Sequence, residues 1–246
     1  VSSRLKGDPN TFVEVTIERM VSGEQQTLKL KRERISIPGV PYVGWVAPGI
    51  GYIEHQDFTE GCYEDMRRAI SSLLSEGELK GLILDYRGNG GGILQEAIKI
   101  VGLFTPKGTE VVTTKGRHNS RVFRTEQEPL LPDLPLVVLI NEFSASASEI
   151  LSGALQDRER ATIMGVQSYG KGVVQYVLPV GSEGAGMQVT VAQYFTPNGN
   201  EVHHVGITPD VIVEMPEEQK SMFFEIGDLT DVQLNEAYKV ALDMLK

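Results

Sequence analysis

The chain has 246 residues, 41% hydrophobic and 23% charged, with a net charge of −10 and one cysteine, Cys62. This is the composition of a soluble globular chain long enough for a sizeable core, and an acidic balance without a Lys/Arg block excludes the electrostatic footprint of a nucleic-acid or anionic-membrane binder. A lone cysteine excludes an intrachain disulfide or multi-cysteine metal site, and apolar runs such as Leu136 to Ile140 are far too short to span a bilayer.

Val1 to Gly7 reads as the last turns of a helix, and Thr11 to Glu18 and Gln26 to Lys31 alternate like the strands of a hairpin. Pro38 and Pro41 place a domain boundary in residues 36–41, ahead of a strand at Ile50 to His55. Between Thr59 and Glu76, the residues Cys62, Met66, Ala69, Ile70, Leu73 and Leu74 line one helix face, which assigns Cys62 to the core. The apolar strand Leu79 to Asp85 runs into a Gly-rich loop and then a helix, Ile93 to Phe104. Glu110 to Thr114 and Arg121 to Thr125 form a hairpin around Gly116. Leu136 to Ile140 leads through Asn141 to Phe143 into a helix, Ser144 to Gln156.

Strands follow at Arg160 to Gly165, Val173 to Pro179, Met187 to Phe195 and Val211 to Glu214, with turns at Gly181 to Gly186 and Thr196 to Gly199. A last amphipathic helix, Thr230 to Leu245, takes Thr230 as its N-cap and puts Leu234, Ala237, Ala241 and Leu245 on one side. Buried apolar strands alternating with amphipathic helices predict an α/β layered core with a largely parallel sheet and added hairpins.

Ser146 opens S-A-S-E, a capping box in which Glu149 reaches back to the Ser146 amide. The same place suits a nucleophile, because free N–H groups and the positive end of the helix dipole stabilise an oxyanion. Residue chemistry alone does not choose among Ser144, Ser146 and Ser148.

Lys171 lies in GVQSYGKG, close to a phosphate-binding P-loop. Gly172 replaces the magnesium-binding hydroxyl residue, however, and a strand follows where that motif needs a helix. A turn lysine is ordinarily a surface cation; to act as a base it needs burial. Spacing of two puts Lys171, Val173 and Gln175 on one side of an extended segment, so Gln175 can hold the amine.

The loop Asp85 to Gly92 either aims amides at an anion or is a tight turn, and Ile93 in the last glycine position disfavours a dinucleotide site. His55, His118, His203 and His204 sit in no motif, no G-x-S-x-G elbow exists, and the His203–His204 side chains are expected to diverge at a surface or substrate rim. No metal or cofactor is expected.

LKGLILDYRGNGGG, PLVVLINEFSASASEILSGALQD, ATIMGVQSYGKGVVQ and YFTPNGNEVHHVGITPDV together resemble the carboxy-terminal processing (tail-specific) proteases, over about residues 1–214 in collinear order. The resemblance implies a crotonase/ClpP-like fold with Ser146 as nucleophile, Lys171 as general base and Gln175 orienting the lysine. It implies an oxyanion hole from the amide of Ala147 and that of Gly91 or Gly92. Residues 1–35 match only the final helix and strands of a PDZ domain, without its carboxylate-binding loop, and 36–246 form the peptidase core. The expected activity is endopeptidase cleavage near the C-terminus of extended polypeptide tails, lowered or lost in a form with so little of the PDZ. Such proteases are exported, so a periplasmic or membrane-anchored setting with a removed leader is expected, and a homo-oligomer is compatible with it. The rival reading is a non-catalytic binding module for peptides or apolar ligands, as in retinoid-binding repeats of the same fold.

Overall fold

The structure is a computed structural model describing residues 2–19, 22–33, 38–181, 185–220, 224–225 and 227–246. The chain divides into two compact units, Val1–Ile37 and Pro38–Lys246. Of the expected boundary, residues 36–37 lie outside the described residues, as do 182–184 of the expected turn.

The first unit holds a short helix α1 (Ser2–Leu5) and an antiparallel hairpin, β1 (Phe12–Glu18) with β2 (Gln25–Lys31), Val15 facing Leu28. Its inward stripe is thin, so a side chain does the fastening. The Arg32 guanidinium donates to the carbonyls of Leu5 (2.8 Å), Phe12 (2.9 Å) and Arg4 (3.1 Å), joining helix end to hairpin.

In the second unit the strands are β3 (Tyr42–Ala47), β4 (Ile50–Glu54), β5 (Gly81–Asp85), β8 (Leu136–Ile140), β9 (Thr162–Gly165) and β12 (Val211–Ile212). They form one sheet in the order β12-β9-β8-β5-β4-β3, parallel except for β3. Alternation along the strands divides the core. Leu82, Leu84, Leu136, Val138 and Ile140 face the helices α2 (Cys62–Glu76), α3 (Leu94–Val101) and α4 (Ala147–Asp157). Ile83, Val137 and Leu139 face Leu234, Ala237 and Ala241 of α5 (Val232–Asp243). Helices on both faces explain why β8 and residues 82–84 of β5 are apolar throughout. A second, antiparallel sheet runs β10 (Val173–Val180), β11 (Ala185–Phe195), β6 (Glu110–Gly116), β7 (Ser120–Arg124).

Four expectations are corrected. β3 was not predicted; all its residues are half-buried, so no alternation betrays it. Asp231, not Thr230, caps α5: its Oδ1 accepts the Gln233 (2.9 Å) and Leu234 (3.2 Å) amides. Leu245, beyond α5, and Leu74 on α2 are exposed, outside the packed stripes expected to hold them. Helix α4 begins at Ala147, so Ser144 and Ser146 lie in the turn before it and Ser148 lies in its first turn.

Candidate active site

The turn between β8 and α4 is built from buried polar staples. Ser144 Oγ donates to the Tyr86 carbonyl (2.8 Å) and accepts the Asn141 amide (2.9 Å), while Ser148 Oγ donates to the Asn89 carbonyl (2.9 Å). Both hydroxyls are therefore committed to the backbone. Ser146 differs: it is half-buried, makes no side-chain cap bond, and has φ 57° and ψ −112°. A non-glycine residue there is strained by about 1–3 kcal/mol, offset by surrounding bonds. The expected capping box is present: Glu149 Oε2 accepts the Ser146 amide at 2.8 Å. The second half is present as well, the Glu149 amide facing the Ser146 hydroxyl while donating to the Ser146 carbonyl at 3.0 Å.

The glycine loop lies directly against this turn. At Gly91 (φ 96°) a Cβ would stand 2.6 Å from the Ala145 oxygen, 2.7 Å from Ser146 Cβ and 2.8 Å from the Ala147 nitrogen. Only glycine fits so close an approach. Buried Asn89 fixes the loop, donating to the His55 carbonyl (2.7 Å) and accepting the Gly91 amide (2.8 Å). Of the two glycines expected to offer an oxyanion donor, Gly91 thus already spends its N–H. The amides of Gly92 and Ala147 have no hydrogen-bond partner among the described residues.

Glu149, fully buried, joins this turn to the loop carrying Lys171. Its carboxylate accepts from Ser168 Oγ (2.6 Å), the Gly170 amide (2.6 Å) and the Lys171 amide (2.9 Å), besides Ser146. The sequence shows Glu149 only as a local cap, because three of its four partners come from a distant loop. Tyr194 adds a second link, donating its hydroxyl to the Lys171 carbonyl. Burial pushes this phenol above its ordinary value; the Ser146 hydroxyl opposes the rise and Glu149 adds to it.

The Lys171 side chain is exposed, so the burial required of a base is absent from this arrangement, and its amine makes no hydrogen bond among the described residues. Gln175 is not bonded to it. Its amide accepts from Gln188 (2.8 Å) and donates to Thr190 (3.4 Å) across β11.

The histidines are dispersed. His55 is buried between Phe58 and Tyr86, ring centroids 4.5 and 5.0 Å away, and burial lowers it to about 4. His118 is exposed in the β6–β7 turn. His203 and His204 do not diverge: with His204 at φ 61° their rings come within 3.8 Å, and the His204 amide donates to the Gly170 carbonyl (2.9 Å).

Behind the glycine loop, Arg87 pairs with Asp85 (2.6 Å) and, through Nη1, with Asp231 (2.8 Å). Burial disfavours its charge, but Asp85 and Asp231 outweigh that and raise the guanidinium above its ordinary value. A cavity of about 1040 Å³ opens there between Arg87, Asn141, Phe143 and Asp231, with neither Ser146 nor Lys171 in its walls. Among the described residues no His, Cys, Asp and Glu cluster suits a metal ion, and no helix is long and apolar enough to cross a membrane.

The chain is 38% identical to a carboxy-terminal-processing protease of Bartonella bacilliformis, over 96% of this chain and 62% of that one. It is 40% identical to a carboxyl-terminal-processing protease of a Synechocystis species, over 99% and 56%. The chain thus spans about three fifths of these relatives' length. Among solved structures it is similar to a photosystem II D1 C-terminal processing protease, at 30% identity and a TM-score of 0.65, covering 92% of this chain and 60% of that one. The profile of Peptidase family S41 matches residues 49–213, and the chain belongs to that family.

Proposed function

We propose that the chain is a serine endopeptidase of the carboxy-terminal processing type, with Ser146 as nucleophile and Lys171 as general base. The observation that carries this reading is the Ser146 turn: a strained residue between a strand and a helix, its hydroxyl making no cap hydrogen bond, next to an unpartnered Ala147 amide. In this mechanism Lys171 Nζ takes the proton from Ser146 Oγ as it attacks the scissile carbonyl. The amides of Ala147 and Gly92 hold the oxyanion, and Gly91 serves by its missing side chain. The proton passes to the leaving amine, and water then releases the acyl group. The exposed lysine must be covered and brought to the serine, with Gln175 turning to hold it, when substrate fills the site; unliganded catalytic contacts are commonly loose.

On the same reading the core is crotonase/ClpP-like, residues 1–35 are the remnant of a PDZ domain, and the substrates are polypeptides with extended C-terminal tails met outside the cytoplasm. The unjoined dyad favours one rival, a non-catalytic module binding peptides or apolar ligands. A fluorophosphonate probe separates the two. It is expected to label wild-type chain at Ser146 and not Ser146→Ala; equal labelling of both rejects the nucleophile, and an inert wild type supports the rival.

A further inference from the structure

β10 leaves the lysine loop with only Gly172 between Lys171 and its first residue, Val173. It is the outermost strand of its sheet, paired with β11 on one side and with no strand on the other among the described residues. The root of this edge is fixed at the site, since the Tyr194 amide donates to the Gly172 carbonyl at 3.0 Å. The two faces of the hairpin differ in chemistry. Gln175, Gln188 and Thr190 bond to one another on one face. On the other, Tyr176 opposes Val189, Leu178 opposes Met187 and Val180 opposes Ala185, and Tyr176, Leu178 and Met187 are 59%, 47% and 51% exposed.

Proteins ordinarily blunt such an edge with charges or proline. The run Val173–Val180 contains no charged residue, and its one proline, Pro179, lies at the end away from Lys171. The segment next to the site is thus left able to pair.

We propose that the free edge of β10 is the strand on which an extended segment of a polypeptide substrate pairs, main chain to main chain. Apolar side chains at alternate substrate positions lie beside Tyr176 and Leu178. This rests on the peptidase reading and supplies its mode of substrate binding. Continuity with Lys171 selects a substrate over a second copy of the chain: a strand in register on β10 runs straight to the lysine loop, whereas a second copy there would block it.

The test uses the whole chain carrying Ser146→Ala, so binding is read without cleavage. The probe is a fluorescein-labelled peptide of alternating Val and Ser residues, measured by fluorescence anisotropy. Two further peptides carry N-methyl groups on the odd or on the even amides, removing the donors of one strand edge each. One of the two is expected to bind about tenfold more weakly than the parent while the other holds its affinity. Adding Tyr176→Glu and Leu178→Glu, with an unchanged melting temperature, is expected to weaken the parent peptide about tenfold as well. Equal affinity for all three peptides, or no binding of the parent, overturns the proposal whether or not the probe labels Ser146. So does a double variant that changes sedimentation from dimer to monomer but leaves peptide affinity intact, which assigns the edge to a second copy. Failure of the peptidase reading appears separately, as an unlabelled wild type.

Discussion

The Lys171 amide lies 2.9 Å from Glu149 Oε2, the oxygen that also accepts the Ser146 amide. One buried carboxylate therefore sets the spacing of the backbones that carry both proposed reacting groups. Glu149→Gln puts an NH₂ where two oxygens now accept four donors, leaving buried N–H groups unpaired at about 1–3 kcal/mol each. We expect a lower melting temperature and fluorophosphonate labelling slowed about 10²-fold, the scale of a small misplacement of reacting groups. Labelling at the wild-type rate would show that the two loops hold their places without it.

Lys171 makes its structural bonds through its backbone, so Lys171→Ala is expected to leave stability within about 0.5 kcal/mol. Turnover of an unstructured peptide should fall ~10²–10⁴-fold. Lys171→Arg should be equally slow, because a guanidinium stays protonated. Near-normal turnover in either variant rejects lysine as the base.

Tyr194→Phe keeps the buried ring and removes the hydroxyl between Ser146 and the Lys171 carbonyl. The expected stability loss is about 1 kcal/mol. Because the phenol is held neutral, the effect on labelling rate should be the same at pH 7 and pH 9; a pH-dependent effect would make the tyrosine a titrating participant.

His55 gives a pH dependence of fixed sign. Folded, it titrates near 4 through burial, against 6.5 for the ordinary group, so between these values the unfolded chain binds the additional proton. Stability from this residue is complete above about pH 6.5 and declines as pH falls toward 4, by roughly 3 kcal/mol at most. Urea midpoints at pH 5 and pH 7.5 should differ less in His55→Leu than in wild type. An undiminished difference places the acid sensitivity elsewhere.

Arg87→Met leaves Asp85 and Asp231 buried without their cation. Breaking a pair of this kind costs about 3–5 kcal/mol. Calorimetry should show the loss, with a smaller one in Arg87→Met/Asp231→Asn, where one stranded carboxylate is neutralised. Equal losses would mean that Arg87 acts by packing alone.

The elements most legible in the sequence were those whose burial leaves a period. β8 and residues 82–84 of β5 are covered on both faces and read as unbroken apolar runs, and the stripe Cys62–Met66–Ala69–Ile70–Leu73 announces α2. β3 gave no such signal, being half-covered along its length among prolines and glycine. At α5 two adjacent residues suit a cap, and the choice of Asp231 over Thr230 is tertiary, since its second oxygen meets Arg87. The same limit hid the role of Glu149, whose SASE context shows one partner while residues 168–171 supply the rest. His203 and His204 were expected apart because alternation assumes ordinary φ, which His204 does not have.

The Arg87–Asp231 pair also bears on the order of assembly. Synthesis is vectorial, so the residues of β5, the glycine loop, the serine turn and the lysine loop all emerge before α5. Until that helix docks, one face of the sheet stands bare and Arg87, at the base of the glycine loop, has only Asp85 to hold it. A nascent chain with every proposed reacting group already in place still lacks the clamp beneath them, so the site is completed by the segment translated after it.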